Sequence, residues 1–234
     1  MPLSPAGASY LRPVHPSLAP RPSQPLWTRL FAGVGLLVYL WLSYLMLGIS
    51  LQYVPPASDV AFLRIKQDAV AHWYYLPAFL VHAYSAILVL PAGLTQFSTS
   101  FRRRYPRWHR RLGWLYVSAT LFAAGPSGLV LAWHANGGCS SQLAFGLLAL
   151  GWLGFTAIAV FQALQKNWRL HRDFMIRSFA LALSAITLRA WKYLLVAAFH
   201  PHPMDVYRWV AWLGWVLNLA FAEWFIYKNY HKSL

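Results

Sequence analysis

Apolar residues fall in long runs of about twenty, the length that carries an α-helix across a hydrocarbon core of ~30 Å, with short polar stretches between them. The pattern predicts spans over about Leu30–Ile49, Tyr74–Phe97, Leu112–Trp133, Leu143–Leu164, Ser178–Phe199 and Trp209–Tyr227. Gly125-Pro126 sits inside the third span, where proline forfeits a ladder hydrogen bond and predicts a kink. After Pro55-Pro56, Ser58 is placed to cap a short helix with Phe62, Ile65 and Ala69 on one side, lying along the membrane interface. HANGGCSSQ and HPHPMDVY read as turns, and FRRRYPRWHRRLG (Phe101–Gly113) and QKNWRLHRDFMIR as basic loops. The expected architecture is an all-α, polytopic membrane bundle of six transmembrane helices over residues 28–234, with spans two to five central.

Residues 1–27 hold Pro2, Pro5, Pro13, Pro16, Pro20, Pro22 and Pro25. Proline fixes φ and removes a donor, so this arm is expected to be extended or disordered. The arm does not read as a signal peptide, which makes the first span an uncleaved anchor.

Composition sharpens the membrane reading. The chain is 59% hydrophobic and 11% charged, against about 25% charged in soluble domains. Its net charge of +15 sits in short loops beside apolar runs, which is a topology signal and argues against a nucleic-acid partner. One side of the expected topology collects Arg12, Arg21, Arg29, the six arginines between Phe101 and Gly113, Lys166, Arg169, Arg172, Arg177, Lys228 and Lys232; the other receives Arg64, Lys66 and Arg208. That excess places both termini and both basic loops in the cytoplasm, as for a protein of a bacterial inner membrane. The partners expected are the bilayer itself, anionic headgroups at the basic loops, and a membrane-complex partner if the chain is an accessory subunit. Cys139 is the only cysteine, so no intrachain disulfide or thiolate cluster can form.

The two basic loops echo each other: RWHRR (Arg107–Arg111) aligns with RLHRD (Arg169–Asp173), each at the entry of the second helix of a hairpin. A tandem duplication of the hairpin would be a parallel repeat about an axis along the membrane normal, and would put His109 and His171 at one depth.

Polar groups inside apolar runs are the candidates for chemistry. His82 lies roughly 12 Å into span two and Arg189 about 15 Å into span five, measured from the far end at ~1.5 Å per residue. A charge at that depth costs several kcal/mol unless paired or wet. Glu223, near the other end of span six, is the only acid within the apolar runs. Arg189 therefore invites an anion, such as a haem propionate, a lipid phosphate or a substrate carboxylate, or else bonds helix carbonyls or Asn218. His109 and His171 can ligate a metal or haem iron through imidazole nitrogen, or meet lipid phosphates; Asp173 is placed to pair with Arg110 or Arg111. With five acids in the chain and no nucleophile elbow, phosphate-cradling loop or metalloprotease motif, carboxylate acid–base catalysis has little to work with.

HAYSAILVLPAGLTQF, RYPRWHRRLGWLYV and LHRDFMIRSFALALSAITLR resemble the bacterial domain-of-unknown-function 2306 family of predicted multi-pass membrane proteins. The resemblance covers about Val81–Arg189, within a family-like core of about 74–199. The motif positions it implies are His82, Gly93, Gln96, His109, Arg110, Gly113, His171, Arg172, Met175, Arg177 and Arg189. It implies topology and a choice of residues, without a reaction.

Two function classes stay open. One is a redox protein holding b-type haem or a metal, with ligands drawn from His82, His109 and His171 and a propionate on Arg189. The other is a non-redox carrier or lipid- or anion-binding bundle in which Arg189 and His82 face a cavity.

Overall fold

The computed structural model describes residues 25–231. Most of the proline-rich arm lies outside them, as do Arg12, Arg21 and Lys232. Every regular element among the described residues is helical: α1 (Leu26–Leu51), a 3₁₀ turn (Ala61–Lys66), α2 (Gln67–Val70), α3 (Tyr75–Gln96), α4 (Thr99–Arg104), α5 (Pro106–Ala119), a π-turn (Thr120–Ala124), α6 (Gly125–Trp133), α7 (Cys139–Leu164), α8 (Trp168–Ala182), α9 (Ser184–Phe199) and α10 (Pro203–His231). The chain divides after Val38 into two compact units. In the first, Trp27 and Phe31 of α1 meet edge to face. The second, Tyr39–Leu234, carries the bundle.

Five helical segments are long and apolar enough to cross a membrane, and six when α8 and α9, bent by 41° at Leu183, count as one span. Much of their apolar surface faces outward: Phe122 is 80% exposed and Phe199 73%. Surface of that kind finds its solvent in hydrocarbon, not water. The chain is an integral membrane protein built as a polytopic helical bundle.

Several boundaries move from their sequence expectation, each for a local reason. The stretch read as an arginine loop is mostly helix. Ser98 caps α4 by accepting from the Phe101 amide at 3.1 Å, and Pro106 opens α5 at a first-turn position where its missing N–H costs nothing. Asn167 likewise caps α8 by accepting from the Leu170 amide, so His171 and Arg172 are helical, not in a loop. The interfacial helix is a 3₁₀ turn followed by one short α-turn, preceded by Val60 with no side-chain cap, so Ser58 is not the cap. Its buried side is Leu63, Lys66 and Ala69; Ile65 is exposed. Asp173 pairs with neighbouring Arg172 at 3.1 Å, not with Arg110 or Arg111.

The kink expected at Gly125-Pro126 is a π-turn that ends just before the proline. Widening the helix by one residue gives the backbone room around a ring that cannot donate. The bend at Leu183 has no proline. One side chain of α10 spans it instead: Asn218 donates to the Ala180 carbonyl on one side and to the Thr187 hydroxyl on the other, both at 3.0 Å.

The core lies where α3, α5, α7 and α8 meet, around Val89, Tyr116, Trp152, Phe179 and Leu181. At its centre is a closed ring of hydrogen bonds. The Trp152 indole donates to the Tyr116 hydroxyl, 3.3 Å away. Tyr116 and Ser178 are 2.7 Å apart, as are Ser178 and Thr156, and Thr156 donates back to the Trp152 carbonyl at 2.7 Å. Because Trp152 can only donate and the Thr156 proton is committed, Tyr116 must donate to Ser178 and Ser178 to Thr156. All of these side chains are buried, and the ring fastens three helices. Ser178→Ala leaves the Tyr116 hydroxyl without its acceptor and should cost about 1–2 kcal/mol. Reversible unfolding in detergent measures it; an unchanged unfolding free energy contradicts the ring.

Candidate functional site

A cavity of about 250 Å³ opens among α3, α6, α7, α9 and the 3₁₀ turn. Its wall is mostly apolar and small, with Ala86, Ala124, Gly128, Ala132, Ala149 and Ala185 among its lining. Aromatic rings of Phe79, Trp152 and Tyr207 close the sides. Alanine and glycine recur in the lining where larger residues would fill the gap.

His82 and Arg189 both line this cavity. The His82 Nδ1 lies 2.9 Å from the Ala124 carbonyl, the last of the π-turn. A carbonyl only accepts, so Nδ1 carries the proton and Nε2 keeps its lone pair. Gly128 permits this seat: a Cβ there would stand 3.2 Å from the ring. Among the described hydrogen bonds none uses Nε2. Arg189 donates from one terminal nitrogen to the Ala185 carbonyl of its own helix, at 2.6 Å. No described acid lies within ion-pair range of it. Glu223 is held instead by Arg177, in a two-pronged bridge at 2.6 and 2.8 Å between α8 and α10. Asn218 is occupied at the bend and does not reach Arg189.

Lys66 is the lining residue that sequence reasoning placed only as a loop charge. It is 6% exposed, lines the cavity from the 3₁₀ turn, and donates to the His134 carbonyl and the Asn136 side chain. Its neighbours accept but carry no charge, so burial pushes its pKa down. His134, whose Nε2 is 3.0 Å from the Tyr74 hydroxyl, is also pushed down, by burial first and by His72 and Lys66 second. A lysine whose folded pKa lies below its ordinary 10.5 binds fewer protons folded than unfolded between those two values. Stability then rises with pH through that window. Wild type should therefore gain melting temperature relative to Lys66→Met as pH rises from 7.5 towards 10. A constant gap contradicts a desolvated Lys66.

The other two histidines belong to the opposite, arginine-rich end. His171 Nδ1 lies 2.8 Å from the Ala159 carbonyl of α7. His109 Nδ1 is buried without a partner among the described residues, with Arg102 and His171 as its neighbours. Neither lines the cavity. The four candidates thus divide into two pairs. Among the described residues no group of three or more histidine, cysteine or acidic side chains is arranged to hold a metal ion.

The remaining motif positions lie outside the cavity lining. Gly93 and Met175 are core. Gln96 stays with its own helix, donating to the Ala92 carbonyl at 3.3 Å, and Gly113 faces it closely enough that a Cβ would meet the Gln96 oxygen at 3.2 Å. Arg110 and Arg172 are exposed.

A family model described as a predicted membrane protein, domain of unknown function 2306, matches residues 79–226. That stretch holds every motif position named above and most of the cavity wall. No curated protein and no solved structure matches the chain.

Proposed function

The chain belongs to the domain-of-unknown-function 2306 family of predicted membrane proteins, and we propose that within that scaffold it binds an amphiphilic anion, as a carrier or receptor. The ligand class is an apolar body bearing a carboxylate or phosphate. One observation carries the reading: Arg189 lines an apolar cavity with no described acid to pair it. A guanidinium in that setting costs several kcal/mol unless an anion joins it, and a planar fork suits carboxylate or phosphate oxygens. His82, with its proton committed to Ala124, offers Nε2 as an acceptor for a hydroxyl or acid proton of the same ligand.

The seat of His82 favours a second reading. Imidazoles that ligate metals usually donate their other nitrogen to a carbonyl or carboxylate, and His82 is held in that way. His82 would hold a haem b iron through its free ring nitrogen and Arg189 would meet a propionate, supplying redox chemistry. His82 is the only histidine among the described lining residues, so this chain would offer the iron one imidazole nitrogen there. His109 and His171 would form a separate centre.

The absorption spectrum of the chain, purified from haem-supplemented cells, separates the two. No Soret band, with an acidic amphiphile in the solvent extract, supports the anion reading. A Soret band lost in His82→Ala supports haem and rejects it.

The orientation we propose places the arginine-rich end and both termini in the cytoplasm of a bacterial inner membrane, on the Lys and Arg count. In support of a duplicated hairpin, the helices carrying His109 and His171 each break about three turns past the histidine, one in the π-turn and one at Leu183.

A further inference from the structure

Away from the cavity, α5 gathers Arg107, Arg110, Arg111 and Trp114 on one face, spaced as successive turns of a helix. Together they line an open cleft of about 550 Å³. All four are exposed, and no described salt bridge uses the three arginines. We propose that this cleft is a binding site for the headgroup phosphate of an anionic phospholipid, independent of the cavity ligand.

Topology alone does not account for the arrangement. Charge beside a span is indifferent to which face of a helix carries it, yet here three cations converge. Their place on the helix is also the unfavourable one. The first turns of α5 contain no acid, and the exposed amides there already make that end positive. Arg102, Arg103 and Arg104 offer an internal contrast, because they occupy the last turn of α4, where the helix dipole favours cations. Arg104 rests against the Tyr105 ring and Arg111 against the Trp108 ring, so ring contacts do not set the two groups apart. The α4 arginines are accommodated by their own helix. Those of α5 sit where their own helix disfavours cations, and an anion from outside would offset that.

Depth selects a lipid as its source. The segment Pro106–Trp133 is a candidate span, and Trp114 lies ~12 Å along it from Pro106 at 1.5 Å per residue. The headgroup layer is only ~5–8 Å thick on each side. Trp114, 59% exposed, therefore reaches the level of the acyl chains while Arg107, Arg110 and Arg111 stay among phosphates. An indole at that boundary and guanidiniums above it match the two halves of one phospholipid.

The test compares two variants of equal charge in the full chain. Wild type, Arg107→Gln/Arg110→Gln/Arg111→Gln and Arg102→Gln/Arg103→Gln/Arg104→Gln are purified in detergent. Each is titrated with phosphatidylglycerol or phosphatidylcholine and read by native mass spectrometry. Wild type should prefer phosphatidylglycerol, the α5 triple should lose that preference by about tenfold or more, and the α4 triple should keep it within about twofold. Equal losses in the two triples overturn the site, as does a wild type indifferent to headgroup charge. Displacement of the lipid by millimolar inorganic phosphate would reassign it to a soluble anion. Arg110→Gln alone, at an exposed position, repeats the comparison should a triple not fold: a clear loss of preference supports the site and an unchanged one overturns it.

Discussion

Gly93→Val is expected to yield little or no monodisperse protein in mild detergent, and what survives should melt well below wild type. A Cβ at Gly93 would lie 2.4 and 2.5 Å from two carbons of the Phe179 ring and 3.1 Å from Tyr116. Neither ring is free to retreat. Phe179 contacts Tyr39, Phe97 and Tyr116, and the Tyr116 hydroxyl is fixed in the ring of hydrogen bonds with Trp152 and Ser178. Overpacking of a well-filled core costs roughly 1–3 kcal/mol, and valine adds three carbons where there is room for none. Gly154→Ala is the matched control. Nothing lies within 4 Å of a Cβ there, and alanine is the better helix former by about 1 kcal/mol. That variant should melt at or above wild type. Should Gly93→Val behave like Gly154→Ala, α3 and α8 do not approach as closely as described.

The same contrast shows what the sequence could and could not tell. Hydropathy locates hydrocarbon, so the apolar core of each span was legible to within a few residues. It does not locate helix ends. Pro106 and Asn167 begin helices in polar, arginine-rich stretches, and those stretches therefore read as loops. The π-turn announced itself through Pro126. The bend at Leu183 did not: no proline marks it, and Asn218, which bridges it, is distant in sequence.

The candidate site divides along similar lines. His82 and Arg189 stood out because a polar group deep in an apolar run is expensive. Counting residues gave their depths, but depth carries no information about which way a side chain turns. That both meet one cavity is visible only in the packed bundle. Lys66 was hidden by its address in a loop, where a lysine ordinarily serves topology; only the tertiary contacts to His134 and Asn136 bury it. Gly128 was one glycine among fourteen until His82 was seen against it.

Arg189→Gln should abolish binding of an acidic amphiphile while leaving the fold intact. Glutamine keeps a donor for the Ala185 carbonyl that Arg189 now meets, and it removes a half-buried charge with no described acid beside it, so stability should hold or rise. The bound acid, in contrast, loses the guanidinium that lines the cavity with His82, while Lys66, the other cation of the described lining, is held by the His134 carbonyl and Asn136. Truncating one partner of a buried charge pair costs about 2–5 kcal/mol, a fall in affinity of roughly 30- to 4,000-fold. Arg189→Lys should recover part of it, because a point charge replaces a two-pronged fork. Decanoate serves as the probe, titrated into each purified variant. Affinity within about threefold of wild type in Arg189→Gln would mean that the guanidinium is not the anion's partner.

The account rests on the claim that this cavity selects an acid on an apolar chain. Native mass spectrometry of the wild-type chain, titrated in parallel with decanoate and decanol, tests that claim most directly. The two probes share a ten-carbon chain and differ in charge. Decanoate should bind tighter by at least about tenfold, the worth of one buried charge-assisted contact. Equal affinity for the alcohol, or a preference for it, would contradict the account.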